Sequence, residues 1–275
     1  MKNILVVITT AFVPTGGLTT VMMNYYRMMN KEEVKIDFAS TNNPPQVLLD
    51  EIHASGSEYC QLPDRKNVLA YFFALKKLCR GYDGMHVHAN SAMAVMELQA
   101  AIWAGIKIRI IHNHSSRSQH NLLNQLFLSL YRRSFTQAVA CSDEAGEWLY
   151  GKNGFITLRN AINAKRFKFD VVKRLIMRHN FGFGDDEYVI GHIGKFMEAK
   201  NHPFLIEVFT KYHALQPKSK LLLIGDGELR HLVEAAIDKN KVNDCVILAG
   251  LRSDIPDVLQ AIDIFLFPSI YEGMP

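Results

Sequence analysis

Long hydrophobic runs are missing from this sequence. No stretch reaches the roughly 18 uninterrupted apolar residues of a membrane-spanning helix, and the opening run Ile4 to Ile8 is too short for the core of a signal peptide. Any contact with a bilayer is therefore expected to be peripheral, at the inner face of a plasma membrane, from a cytoplasmic protein. Cysteine is scarce: Cys60, Cys79, Cys141 and Cys245 are scattered and form no CxxC pair, which argues against a disulfide framework and a cysteine-based zinc site. There is no block of like charge, no low-complexity tract and no short-period repeat, so neither disorder nor a nucleic-acid-binding arm is indicated. The dinucleotide fingerprint GxGxxG is absent, which weakens an oxidoreductase reading although Asp37 near the end of the second strand pattern could mimic its ribose-binding acid. An Asp-x-Asp motif is absent as well.

What is present has a regular rhythm. Short β-branched runs at Ile4 to Ile8, Val34 to Ala39, Gly84 to His88, Ile106 to His112 and Ala138 to Ser142 alternate with helix-length segments, and a second series follows at Tyr188 to Ile193, Leu221 to Gly225, Cys245 to Gly250 and Asp263 to Phe267. Such alternation predicts parallel sheets wrapped by helices. The 275 residues are too many for one small core. We expect two Rossmann-like, doubly wound α/β domains, 1–165 and 166–275, joined within the strandless segment Ala164 to Glu187. Ligands in such sheets collect beyond the carboxyl ends of the strands, here in a cleft between facing domains. A net charge of +4 suits an anionic ligand or an anionic surface without demanding either.

Candidate site residues follow the strands. Gly16 and Gly17 precede a helix expected to begin near Thr19 or Thr20, whose free amides attract an anion; a turn with an N-cap is the plain alternative. His86 and His88, then His112 and His114, close two strands, and residues two apart share a face. Four imidazoles could hold a metal, but without a nearby cysteine or paired carboxylate we read them as polar strand ends and assign no metal ligand. His114 is the one expected to face the cleft. In HIGKFMEAKNH, Gly194 ends a strand and Lys195 and Lys200 stand before a helix expected near Asn201. Two ammonium groups at a helix start suit a diphosphate, the alternative being a solvated surface loop. Gly225 and Gly227 supply a tight turn, with Glu228 expected in the first turn of the next helix.

Taken in order, GGLTTV, HNHSS, RNAIN, GKFMEAKNH, LIGDGELR, AGLRSDIP and FPSIYEGMP resemble the retaining glycosyltransferases of family four, over essentially the whole chain. The resemblance implies the GT-B fold and metal-independent, cofactor-free transfer from a nucleotide diphosphate sugar, commonly a UDP-sugar, to a glycan or lipid-linked glycan acceptor in bacterial capsule or other surface polysaccharide synthesis. It implies that Lys195 and Lys200 hold the diphosphate and that Glu272 binds hydroxyls of the transferred sugar, with the Gly273 and Met274 amides close by. By the same resemblance, Gly16 and Gly17 lie against donor phosphates or acceptor, His114 reaches the sugar's primary hydroxyl, and Leu251 and Arg252 bracket the base. The family pattern Glu-x7-Glu places a ribose-binding carboxylate beyond Pro275, so we expect a truncated chain with an incomplete second domain, weak nucleotide binding and slow or no turnover. A non-catalytic nucleotide- or sugar-binding module and an NAD-dependent oxidoreductase are the competing readings.

Overall fold

The computed structural model describes residues 1–116 and 121–272. They form two compact units, Met1–Ile162 and Asn163–Glu272. The first carries seven parallel strands: β1 (Lys2–Ile8), β2 (Val34–Ser40), β3 (Tyr59–Gln61), β4 (Gly84–Ala89), β5 (Ile108–Asn113), β6 (Gln137–Ala140) and β7 (Phe155–Thr157), in spatial order β3-β2-β1-β4-β5-β6-β7. The second has β8 (Tyr188–Ile193), β9 (Ser219–Ile224), β10 (Val246–Leu248) and β11 (Ile264–Phe265), in order β10-β9-β8-β11. Both are doubly wound sheets, and the second repeats the order of the four strands β3-β2-β1-β4. Among the described residues no helix is long and apolar enough to cross a membrane.

The period-two side-chain alternation of β1 explains why the first sheet is covered twice. Leu5 and Val7 enter one core with Met85, Val87 and Ile111, whereas Val6 and Ile8 enter the other with Ile36 and Phe38. Helix Val68–Cys79 is started by Asn67, whose side chain accepts from the Ala70 amide, and helix Asp143–Tyr150 by Ser142, which accepts from the Ala145 amide. In the second unit Asp170 caps helix Val171–Phe181 by accepting from the Val172 and Lys173 amides, and Gly182 ends it at φ 74°. This helix is fastened to the sheet by a buried cation. Arg178 donates to the Gly184 and Glu187 carbonyls at 2.6 Å each, and Arg174 lies 2.5 Å from Asp263, whose other carboxylate oxygen accepts from the Val189 amide.

Strand boundaries depart from the sequence reading chiefly at the sheet edges. β3 and β7 are only three residues long and contribute one outer neighbour each, too little for a periodic signal. The segment Ala164 to Glu187 lacks a strand, as its composition suggests, but contains a 3₁₀ turn at Ala164–Phe167 and the helix described above.

Candidate active site

The carboxyl edge of the second sheet is built from backbone. Gly194 donates to the Ile224 carbonyl, Phe196 to Asp226, Leu229 to Phe196, Gly225 to Gly250 and Ile270 to Ala199, all between 2.8 and 3.1 Å, so the loops after β8, β9, β10 and β11 form one continuous rim. Glycine is required where loops touch. A Cβ on Gly225, which sits at φ 139°, would lie 2.0 Å from the Gly194 oxygen, and one on Gly227 would lie 2.5 Å from the Phe196 oxygen. Gly194 itself lies under the Lys200 side chain, whose Cδ would be 3.3 Å from an added Cβ.

Charged side chains sit on this frame in pairs. Lys200 ends a 3₁₀ turn (Glu198–Lys200), and Asn201 at φ 53° then turns the chain into helix His202–Leu215, which has Pro203 in its first turn and no side-chain cap. The helix therefore starts at the expected place, with left-handed Asn201 as its N-cap. Lys200 Nζ lies 2.6 Å from Glu272 Oε1 and 5.1 Å from the centre of the Phe267 ring, with the lysine and glutamate side chains 20% and 23% exposed. The two residues assigned to diphosphate and sugar are thus direct neighbours. Lys195 Nζ meets Glu228 Oε1 at 2.6 Å on the exposed side of the rim. Glu228 does not lie in a helical first turn as expected, because helix Arg230–Asn240 begins two residues later. Arg252 forms a two-pronged pair with Asp254 and lies over Phe181, while Leu251 projects into solvent. Gly273 and Met274 lie outside the described residues.

Beneath the lysine is a residue the motif reading passed over. His192 is fully buried; its Nδ1 pairs with the Leu266 carbonyl at 2.9 Å, its Nε2 has no hydrogen-bond partner among the described residues, and its ring meets His202 edge-on at 5.0 Å. Burial pushes the His192 imidazole below its ordinary range and His202 down to about 4, so both are neutral near pH 7. The signal was in the sequence, since a histidine inside YVIGHI interrupts a run that should be apolar throughout.

In the first unit, Gly16 is the N-cap of helix Gly17–Met28, which begins two residues before Thr19, and its amide donates to the Val13 carbonyl at 2.9 Å. A Cβ on Gly17 would meet nothing within 4 Å, so the helix start is open. The histidines go further than two polar strand ends. β4 and β5 pair with His88 opposite His112, which places His86, His88, His112 and His114 on one face as a column of rings, with adjacent centres 4.1 to 5.6 Å apart. His88 Nδ1 and His114 Nε2 are 2.9 Å apart. Both His112 ring nitrogens and His86 Nε2 are buried without a hydrogen-bond partner among the described residues. A buried orphan of this kind costs about 1–3 kcal/mol. Burial holds His86 down to about 4 and His114 to about 3, and it holds His88 and His112 well below the ordinary imidazole range, with the neighbouring rings adding to the effect.

Asp37 is committed elsewhere. Its carboxylate accepts from the Glu58 amide at 2.8 Å and the Tyr82 hydroxyl at 2.9 Å inside the sheet, so the ribose-binding acid of a dehydrogenase has no counterpart there. The four cysteines are free thiols.

Two parallel doubly wound sheets in tandem are the GT-B architecture, and solved structures with that fold superpose on the chain. HepE of Anabaena, crystallised with UDP and glucose, matches with a TM-score of 0.81 at 17% identity, covering 98% of this chain and 74% of its own. WaaG, a glycosyltransferase involved in lipopolysaccharide biosynthesis, matches at 0.72 and 15% identity over 98% of this chain and 76% of its own. Residues 173–275 match the family described as Glycosyl transferases group 1. EpsF of Bacillus subtilis (strain 168), named as a glycosyltransferase, is 28% identical over 94% of this chain and 72% of its own length. The Escherichia coli UDP-Gal:alpha-D-GlcNAc-diphosphoundecaprenol alpha-1,3-galactosyltransferase is 24% identical over the same shares. The second unit thus carries the match to the glycosyl transferases of group 1, and most of the chain is similar to bacterial glycosyltransferases.

Proposed function

We propose that this protein transfers a sugar from a nucleotide diphosphate sugar, a UDP-sugar, to a hydroxyl of a glycan or lipid-linked glycan in bacterial surface polysaccharide synthesis, with retention of anomeric configuration. The observation that carries this reading is the Lys200–Glu272 pair on the glycine-built rim, 2.6 Å apart. A cation suited to phosphate and a carboxylate suited to sugar hydroxyls sit side by side on one rim, and a bound donor would part them, the diphosphate taking the lysine and the sugar the carboxylate.

In the proposed reaction the bond between the anomeric carbon and the diphosphate oxygen loosens, and negative charge grows on the leaving group. Lys200, the helix start behind it and Lys195 offset that charge. The acceptor oxygen attacks on the same face and forms the new bond to the anomeric carbon, while its proton passes to the departing phosphate oxygen. Glu272 holds the sugar hydroxyls, and the segment at Leu251 and Arg252 borders the base. From the first unit, Gly16 and Gly17 serve the phosphates or the acceptor and His114 the sugar's primary hydroxyl. The UDP of the HepE complex and the UDP-galactose and lipid-diphosphate chemistry in the name of the Escherichia coli relative support the donor and acceptor classes.

The test is phosphorus NMR of millimolar UDP, a measurement that reaches weak affinities. Both phosphorus lines are expected to broaden with the wild-type chain and to sharpen with Lys200→Ala. Where turnover of a UDP-sugar is measurable, that change lowers it on the order of 100-fold, the effect of deleting one charge-stabilising group worth about 3 kcal/mol. Lines that stay sharp with wild type, or broaden equally with Lys200→Ala, overturn the assignment.

A further inference from the structure

We propose that His86, His88 and His112 form a binding site for a divalent transition metal of the zinc class in the first unit. Their ligating atoms all lie within 4.8 Å of one another. An ion bound by three imidazoles at about 2.0–2.1 Å needs its donor nitrogens about 3.3 Å apart, so the stacked rings would turn to converge on it. The backbone has already done the larger part. Alternation along β4 puts His86 and His88 on one face, and the parallel register sets His112 directly beside His88.

The surroundings argue that these rings are more than filling. On the same face, Val6 and Ile8 of β1 stand opposite His86 and His88, and Val139 of β6 stands opposite His112, so aliphatic chains fill the flanking positions. The histidines interrupt that apolar surface. His112 is 1% exposed, and neither of its ring nitrogens finds a partner among the described residues; the same holds for Nε2 of His86. An imidazole nitrogen with an unclaimed lone pair is the group that ligates a metal. His88 turns Nδ1 toward His114 at 2.9 Å. With Nε2 on the ion, its Nδ1–H would donate to His114, the outer hydrogen bond that metal-bound histidines commonly make. Three neutral nitrogens without a thiolate or carboxylate favour zinc, nickel or cobalt over calcium or magnesium, which prefer oxygen.

Titration of the untagged, full chain with Co²⁺ tests the site in the absence of any sugar nucleotide, so its result is separate from the proposed activity. The expected result is one equivalent bound, with visible d–d bands of a low-coordinate cobalt centre, paramagnetic shifts on the His86, His88 and His112 ring protons, and displacement by Zn²⁺. His86→Asn, at the partly exposed end of the column, and His112→Asn are each expected to weaken binding at least about 100-fold, more than outer-shell changes do. Folding of both variants is followed by circular dichroism. Failure of the wild-type chain to bind Co²⁺ or Zn²⁺ overturns the proposal, whatever the variants do. So does binding that shifts other histidine rings, or that both substitutions leave unchanged.

Discussion

The two sheets share the order of four strands and then finish in opposite chemistry. The first unit ends β4 and β5 in a buried column of neutral imidazoles, with no carboxylate in its stack. The second ends its strands in charges, each set against an opposite one: Lys200 with Glu272, Lys195 with Glu228, Arg252 with Asp254. The same topology therefore does not dictate the polarity of its rim. Desolvation explains the division, because a neutral ring can be buried at moderate cost whereas an ionised group away from water needs a partner. On the proposed reading, the diphosphate takes over the role that Glu272 plays toward Lys200 in this structure.

The largest effect expected along this contrast comes from a deeply buried charge of the first unit. Glu97 is fully buried, accepts from the Tyr71 hydroxyl at 2.9 Å, and pairs with Arg65 at 2.9 Å. Glu97→Ala removes the partner of the partly exposed Arg65 and leaves the buried Tyr71 hydroxyl without its acceptor, so urea unfolding should register a loss of about 1–3 kcal/mol. A loss below about 1 kcal/mol would show that burial of charge is not what separates the two units.

An intermediate effect concerns the imidazoles under the second rim. Unfolded histidine titrates near about 6.5, whereas His202 in the folded chain is held down to about 4 by burial, with His192 and Lys200 adding to the effect. Between those values the unfolded chain takes up a proton that the folded one refuses. His202 therefore contributes full stability above about pH 6.5, and that contribution is lost as pH falls toward 4. Replacement by glutamine should flatten this acid limb, read as hydrogen-exchange protection of helix His202–Leu215 against pH; an unchanged slope contradicts the assignment.

The smallest effect is reserved for the exposed pair. Lys195 and Glu228 are 55% and 74% exposed, so Lys195→Ala should alter stability by no more than about 1 kcal/mol in thermal unfolding. A larger loss would mean that the pair braces the rim rather than decorating it.

Much of this molecule was legible in its residues. Runs such as ILVVI and LLLIG announce buried parallel strands because both faces are covered, and the glycines of GDG mark a turn that side chains would obstruct. The three-residue edge strands at Tyr59–Gln61 and Phe155–Thr157 were not legible, since one neighbour and three residues leave no period to detect. Nor was the pairing of Lys200 with Glu272, which are 72 residues apart and meet through a fold-level crossing from β8 to β11. Alternation predicts that His86 and His88 share a face, but only the register between β4 and β5 brings His112 beside them. Asp37 shows the converse: a motif-like position can be fully occupied by local duties to Glu58 and Tyr82.

The glycine contacts around Gly194, Gly225 and Gly227 carry a consequence for engineering. With peptide groups of neighbouring turns touching directly, lengthening or shortening a single turn dislocates the others, so transplanting a new specificity requires exchanging the whole set together. Substitutions at the outward-facing Lys195, Glu228 and Leu251, by contrast, leave that lattice intact and are the economical place to begin.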